Sequence, residues 1–233
     1  MTSLESKYYP AIALFVTIFI NGTVGNKVGE IANSPEQRLT FEPVNATFSI
    51  WSVIYTAVAD VVLKQITNPE QMWDDMSINL FVLSCVLNCA WIIAWTSERL
   101  VLSQFILYGL AASLIYLWYI NKNALTSTQN CLAIYVAWVL GASILNTCKS
   151  LKVERGVKDS ELSRGALVIF CAIHIAWPLI FMDRLDECLP VAFVGAFTTF
   201  GILSRNTPDS REWVLGLAVT LMTSYVSARR FLN

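Results

Sequence analysis

The sequence predicts an all-α fold: a polytopic membrane helix bundle of about eight transmembrane helices. Three observations carry that expectation. Hydrophobic residues make up 55% of the 233-residue chain. Charged residues make up only 14%, against about 25% in an average soluble domain, too few to clothe a soluble globule of this size. The apolar residues also fall into runs close to the length of about 20 residues that crosses a bilayer as a helix. The same composition excludes a disordered chain, which needs low hydrophobicity and high charge. A net charge of −1, with no dense basic block, argues against nucleic acid as a partner. A membrane β-barrel needs alternating ten-residue strands, and none is present. Backbone groups in lipid must be satisfied within their own segment, which makes the apolar runs helices.

Taken in order, the runs cover residues 9–25, 46–66, 78–96, 100–120, 130–148, 165–182, 188–204 and 212–229. The first is followed by a polar stretch from Asn26 to Asn45, and its lack of a small-x-small cleavage site marks it as a retained span. The second ends in Asp60 and Lys64, one helical turn apart and expected to pair. The third and fourth are separated only by Thr96-Ser97-Glu98-Arg99, which forces an antiparallel hairpin. The fifth ends at a mixed-charge stretch, 149–164, expected to be a solvated loop. In the sixth, Pro178 would kink the helix. The seventh is short, with Pro190 near its start, and the eighth closes the set.

With eight spans both termini share a side. That side holds Lys7, Lys64, Lys122, Arg184, Arg229 and Arg230; the other holds Lys27, Arg38, Arg99, Lys149, Lys152, Arg155, Lys158, Arg164, Arg205 and Arg211. The excess of cations predicts that the 149–164 side is cytoplasmic and both termini are non-cytoplasmic. Which membrane holds this multi-pass protein is not written in the chain. Cys85, Cys89, Cys131, Cys148, Cys171 and Cys188 lie in or at the ends of spans and form no metal-binding spacing, so they read as small apolar core residues.

Polar and aromatic residues share helix faces. Trp51 and Tyr55 stand one turn apart on the second span. Ser84, Asn88, Trp91 and Trp95 form one face of the third, and Tyr135, Trp138, Ala142 and Asn146 one face of the fifth. Lipid has no use for an Asn side chain, so these faces turn toward other helices or a cavity. Two readings follow: interhelical packing with aromatic filler, or an aromatic-walled pocket with a few polar anchors for a small hydrophobic molecule. Trp73 and Trp213, at span edges, fit an interfacial belt instead.

The stretch Tyr135-Val136-Ala137-Trp138, then Ala142 and Leu145-Asn146, resembles the fifth-helix signature of the translocator protein / tryptophan-rich sensory protein (TspO/MBR) family. Leu87-Asn88-Cys89-Ala90-Trp91 is similar to that family's Leu-Asn-x-x-Trp, and Phe48-Ser49-Ile50-Trp51 through Tyr55 to its Phe-x-x-Trp-x-x-x-Tyr. The resemblance covers about residues 8–150. It implies a five-helix bundle with a pocket beneath the first loop, and a ligand that is a tetrapyrrole or similar hydrophobic molecule. The site residues it implies are Trp51, Tyr55, Asn88, Trp91, Trp95, Tyr135, Trp138, Ala142 and Asn146. The first loop departs from the family pattern, keeping only Pro43 beside Phe41 and Glu42, which puts its role as a lid in question. Residues 165–233 exceed the usual five spans.

The domain reading is therefore a TspO-like core at 1–150, a basic linker loop at 151–164 and a three-helix extension at 165–233. His174, the single His, shares a face with Phe170, Trp177 and Phe181 and reads as a hydrogen-bonded structural residue, with haem ligation the lesser alternative. The expected function is binding of a hydrophobic small molecule, as sensor or translocator. The alternatives are a secondary transporter or a porphyrin-degrading enzyme. No HExxH, GxSxG or mid-membrane Asp pair marks a catalyst. No metal or cofactor is expected beyond the tetrapyrrole as ligand. The expected partners are membrane lipid and that small molecule. A homodimer is compatible with the chain, although Gly22-x-x-Gly25 is too short a pattern to argue for one.

Overall fold

The structure, a computed structural model, describes residues 6–32, 34, 37–68, 73–181 and 185–206. Its helices are α1 (Tyr9–Ala32), α2 (Ile50–Thr67), α3 (Asp75–Thr96), α4 (Leu100–Ile120), α5 (Thr126–Arg155), α6 (Asp159–Phe181) and α7 (Leu185–Arg205). A 3-10 turn, Asn45–Ser49, leads into α2. Seven of the eight expected runs coincide with these helices; the eighth, 212–229, lies outside the described residues.

The expectation of eight crossings is not met in full. Among the described residues five helical stretches are long and apolar enough to span a bilayer: Asn45–Thr67, Asp75–Thr96, Leu100–Ile120, Thr126–Arg155 and Cys188–Arg205. The apolar part of α1, Tyr9–Gly25, is shorter. The chain is a multi-pass helical membrane protein. The large apolar side chains left on the outside, Phe15, Phe19, Leu63, Val86, Phe105 and Phe200 among them, form the kind of surface that lipid covers at no cost.

Local signals set the helix ends. Asp74 caps α3, its carboxylate accepting from the Ser77 N–H at 2.8 Å, and the hydrogen bonds from the Ser77 side chain and backbone hold the Asp74 carboxyl below its ordinary range. The expected α3–α4 hairpin turns at Glu98, which takes a left-handed φ of 57°. Helix α5 stops at Gly156, also left-handed at φ 65°, whose N–H reaches the Lys152 carbonyl at 3.0 Å.

Helix α5 is the axis. Of its most apolar stretch 72% is buried inside the protein, more than in any other span. Helices α2, α4, α6 and α7 all pack on it, α3 packs between α1 and α4, and α6 lies against α7. Cys188, Val191 and Val194 of α7 and Trp177 of α6 enter the same apolar core as Ile54, Leu114 and Val136.

Two expectations need correction here. Trp73 is not an interfacial belt residue: it is buried, and its ring lies 5.3 Å from that of Phe81. Residues 151–164 are not a loop either. Helix α5 continues through Arg155 and α6 begins at Asp159, leaving a three-residue break. The charges at 149–164 misled because a helix can carry polar side chains past the apolar stretch when tertiary contacts receive them, and Lys149 and Lys152 both have such contacts.

Candidate functional site

Trp51 of α2 is the hub of the aromatic face. Its ring stacks on Tyr55 at 5.5 Å and meets Trp91 at 6.1 Å, Tyr135 at 5.9 Å and Trp138 at 6.2 Å. Trp91 continues to Trp95 at 6.4 Å, and Phe48 stands edge-on to Trp138 at 5.8 Å. Edge and offset contacts of this kind are the geometry that ring quadrupoles favour. The rings pack on one another. Their convergence on one point follows from the shared faces of α3 and α5, turned inward with α2 laid across them.

Each Asn anchors one end of this cluster. Asn88 is fully buried; its amide donates to the Tyr135 hydroxyl at 3.1 Å and its carbonyl accepts from Asn21 of α1 at 2.8 Å and from the Tyr55 hydroxyl at 3.5 Å. Asn146 is also buried. Its carbonyl accepts from the Trp91 indole at 3.3 Å and from Ser103 of α4 at 2.9 Å, while its amide donates to the Leu100 carbonyl at 3.2 Å. Ala142 is half-buried against the same core. All nine residues singled out from the sequence thus lie in one contiguous region between α2, α3 and α5. The indole N–H groups of Trp95 and Trp138 are buried and make no hydrogen bond, an arrangement that costs free energy unless something receives them.

The sequence reading missed several members. Asn21 and Ser103 complete the two Asn networks from helices that showed no stripe. Phe48, the first residue of the Phe-x-x-Trp-x-x-x-Tyr pattern, joins the cluster through Trp138. The largest omission is Lys149, counted as a loop charge. It is fully buried, its ammonium 2.8 Å from the equally buried Glu42 carboxylate and 5.7 Å from the centre of the Trp95 ring. The signal was present: Lys149 lies three residues beyond Asn146, on the face that already held Tyr135, Trp138 and Ala142.

Glu42 reaches Lys149 because the first loop is fastened from several directions. Thr40 donates through its backbone N–H at 3.0 Å and its hydroxyl at 2.6 Å to Asp159 of α6. The Phe41 N–H donates to Ser163 at 3.1 Å, Arg205 to the Pro43 carbonyl at 3.0 Å, and the Val44 N–H to the Gly201 carbonyl at 3.1 Å. Burial pushes the Asp159 carboxyl upward, but the hydrogen bonds from Thr40 and Ser163 and the charge of Lys152 outweigh it and hold the group below its ordinary range. Leu39 and Phe41 are buried beneath, and Phe41 stands edge-on to Phe170 at 5.8 Å. The reduced proline content has therefore not made this a loose loop.

Two other features lie apart from the cluster. His174 is buried, its Nδ1 2.8 Å from the Phe170 carbonyl and its ring packed on Phe170 and against Gly195. An open apolar groove of about 540 Å³ lies between α4, α5 and α6, lined by residues such as Ala111, Leu140, Ser143 and Ile169 and by none of the nine.

A family model described as TSPO-like protein matches residues 8–229. The match runs well past residue 150, where the motif resemblance ended, and so takes in α6 and α7. No curated protein and no solved structure matches the chain. With tryptophan and asparagine faces meeting inside an all-helical bundle, and a family match over nearly its whole length, the chain belongs to the TSPO-like protein family.

Proposed function

We propose that this protein binds a hydrophobic small molecule, a tetrapyrrole or one of similar shape, within the membrane at the Trp51 cluster, and acts as a sensor or translocator. The observation that supports this reading is the meeting of Trp51, Trp91, Tyr135 and Trp138 at ring distances of 5.9–6.2 Å, flanked by two buried Asn, in a member of the TSPO-like family. Aromatic walls with a few fixed polar groups are the usual make-up of a small-molecule site. Opening these rings around a flat ligand exchanges ring–ring contacts for ring–ligand contacts of the same kind. Residues 1–150 form the proposed binding unit, and the later helices its support, since Asp159, Ser163, Gly201 and Arg205 fasten the first loop. The end carrying that loop and the α5–α6 turn is proposed to face the cytoplasm, on the cation excess.

The test is a titration of the detergent-purified full chain with protoporphyrin IX, read by the shift of its main absorbance band. Saturable binding is expected, weakened about three- to tenfold when Trp51 or Trp138 is changed to Ala, the worth of one aromatic contact. No saturable shift, or unchanged affinity in both variants, would refute the reading. Ligand flux in proteoliposomes separates translocator from sensor.

A further inference from the structure

The aromatic cluster does not end at Asn146. Lys149 extends the same α5 face by one turn, under Trp95, whose ring is 6.4 Å from Trp91. Trp91 in turn donates to Asn146 at 3.3 Å. Cation and cluster are therefore contiguous through residues they share.

The partner of this cation is unequal to it in kind. Lys149 belongs to the most buried helix of the bundle, whereas Glu42 comes from a non-helical segment between α1 and the 3-10 turn before α2. Apolar residues of similar volume would hold the same space as well or better, because desolvating two charges offsets most of their attraction. Stability therefore does not explain the pair. Lys152 and Arg205 add positive charge beside Lys149, which favours any further anion brought to that point.

We propose that Lys149 is the acid-recognising end of the site: the protein takes a flat hydrophobic molecule that carries a carboxylate, with its carbon skeleton against Trp51, Trp91, Trp95 and Trp138 and its carboxylate on the Lys149 ammonium in place of Glu42. The proposal rests on the binding function above and adds the chemical class of the ligand. One anion replaces another on a fixed cation, so the ammonium stays compensated, while the displaced Glu42 carboxylate must move to water or take up a proton. The exchange also couples occupancy to the first loop, since Glu42 loses its partner when the site fills. That gives a ligand-dependent change at the loop end of the bundle.

The test compares protoporphyrin IX with its dimethyl ester, which keeps the ring and removes both negative charges. Full-length protein in detergent is titrated with each. Because the ligand carboxylate must displace Glu42, the parent gains only part of a charge-assisted hydrogen bond and is expected to bind the acid about tenfold more tightly than the ester. Glu42→Gln, which removes the competing anion, is expected to tighten the acid further and leave the ester unchanged. Because Glu42→Gln removes the carboxylate from a buried ion pair, the double variant Lys149→Met/Glu42→Leu serves as the fold-preserving control. It is expected to lose the preference for the acid, so that acid and ester bind it with equal affinity. Equal affinities for acid and ester in the parent, or an acid preference surviving in the double variant, would overturn the proposal while leaving the binding function intact. Failure of the parent to bind either probe would overturn both.

Discussion

Replacing Gly201 by Ala tests the seat of the first loop. A Cβ at this position would lie 2.0 Å from the Thr47 Oγ1, 3.1 Å from the Thr47 Cβ and 3.0 Å from the Pro43 Cβ. Ordinary carbon contacts begin near about 3.5 Å. Rotating the Thr47 hydroxyl removes only the first conflict. The other two involve atoms next to the backbone, and that backbone is tied: the Val44 N–H donates to the Gly201 carbonyl itself at 3.1 Å, and the Thr47 N–H to Val44 at 2.9 Å. Either α7 or the loop must withdraw by about 0.5 Å to restore contact distance. Overpacking of this kind costs about 1–3 kcal/mol, and each kcal/mol lowers the melting temperature of a chain this long by about 2–4 °C. The assay is a thermal melt in detergent followed by a thiol-reactive dye, suited to the buried cysteines such as Cys85, Cys131 and Cys148. A second variant, Thr47→Gly, removes both Thr47 atoms in conflict, so the Gly201→Ala/Thr47→Gly double should lose less stability than the two singles added together. Parent-like melting of Gly201→Ala, or simple additivity in the double, would refute the claim that α7 and the loop meet here without slack.

Three further outcomes are expected. Asn146→Leu leaves the Trp91 indole without its acceptor, at about 1–3 kcal/mol for the buried group stranded, while the Ser103 hydroxyl keeps the Leu100 carbonyl at 2.8 Å; the melt should fall by more than that of a lipid-facing control such as Phe105→Leu. Asp159 titrates lower in the folded protein than in the unfolded chain, so its contribution is present above the unfolded value of about 3.9 and is lost as pH falls through the folded value. The parent should therefore lose stability more steeply than Asp159→Asn below about pH 4, and the two melts should converge there. Asp74→Ala removes the cap of α3, whose carboxylate accepts from Ser77 at 2.8 Å, and should cost about 0.5–2 kcal/mol; an unchanged melt would show that the cap is dispensable in the membrane-bound helix.

That the nine residues singled out from the sequence meet inside the bundle was legible because period and chemistry agreed. A buried Asn sharing a helix face with Trp and with Ser or Tyr, as in α3 and α5, has one explanation at the level of a single helix: that face is turned inward. The apolar runs were legible for a similar reason, since lipid leaves the backbone no alternative to helix. What misled was charge near a span end. Lys149 and Lys152 look like loop residues in sequence, and Trp73 looks like a belt residue, because position along a span suggests depth and says nothing of neighbours. The contacts of the first loop with α5, α6 and α7, together with the Trp95 ring, bury Lys149, and those loop contacts join residues more than a hundred positions apart.

The chain by itself determined that this is a helical membrane protein, where its helices run and which faces of α3 and α5 turn inward, because hydropathy and the 3.6-residue period are local properties. The tertiary structure decided that α5 is the axis, that Trp51 joins the two inward faces, and that helices beyond residue 150 hold the first loop in place. It also decided the partner of Lys149. A buried charge is tolerable only when a counter-charge reaches it, and nothing local to α5 says that it will be Glu42.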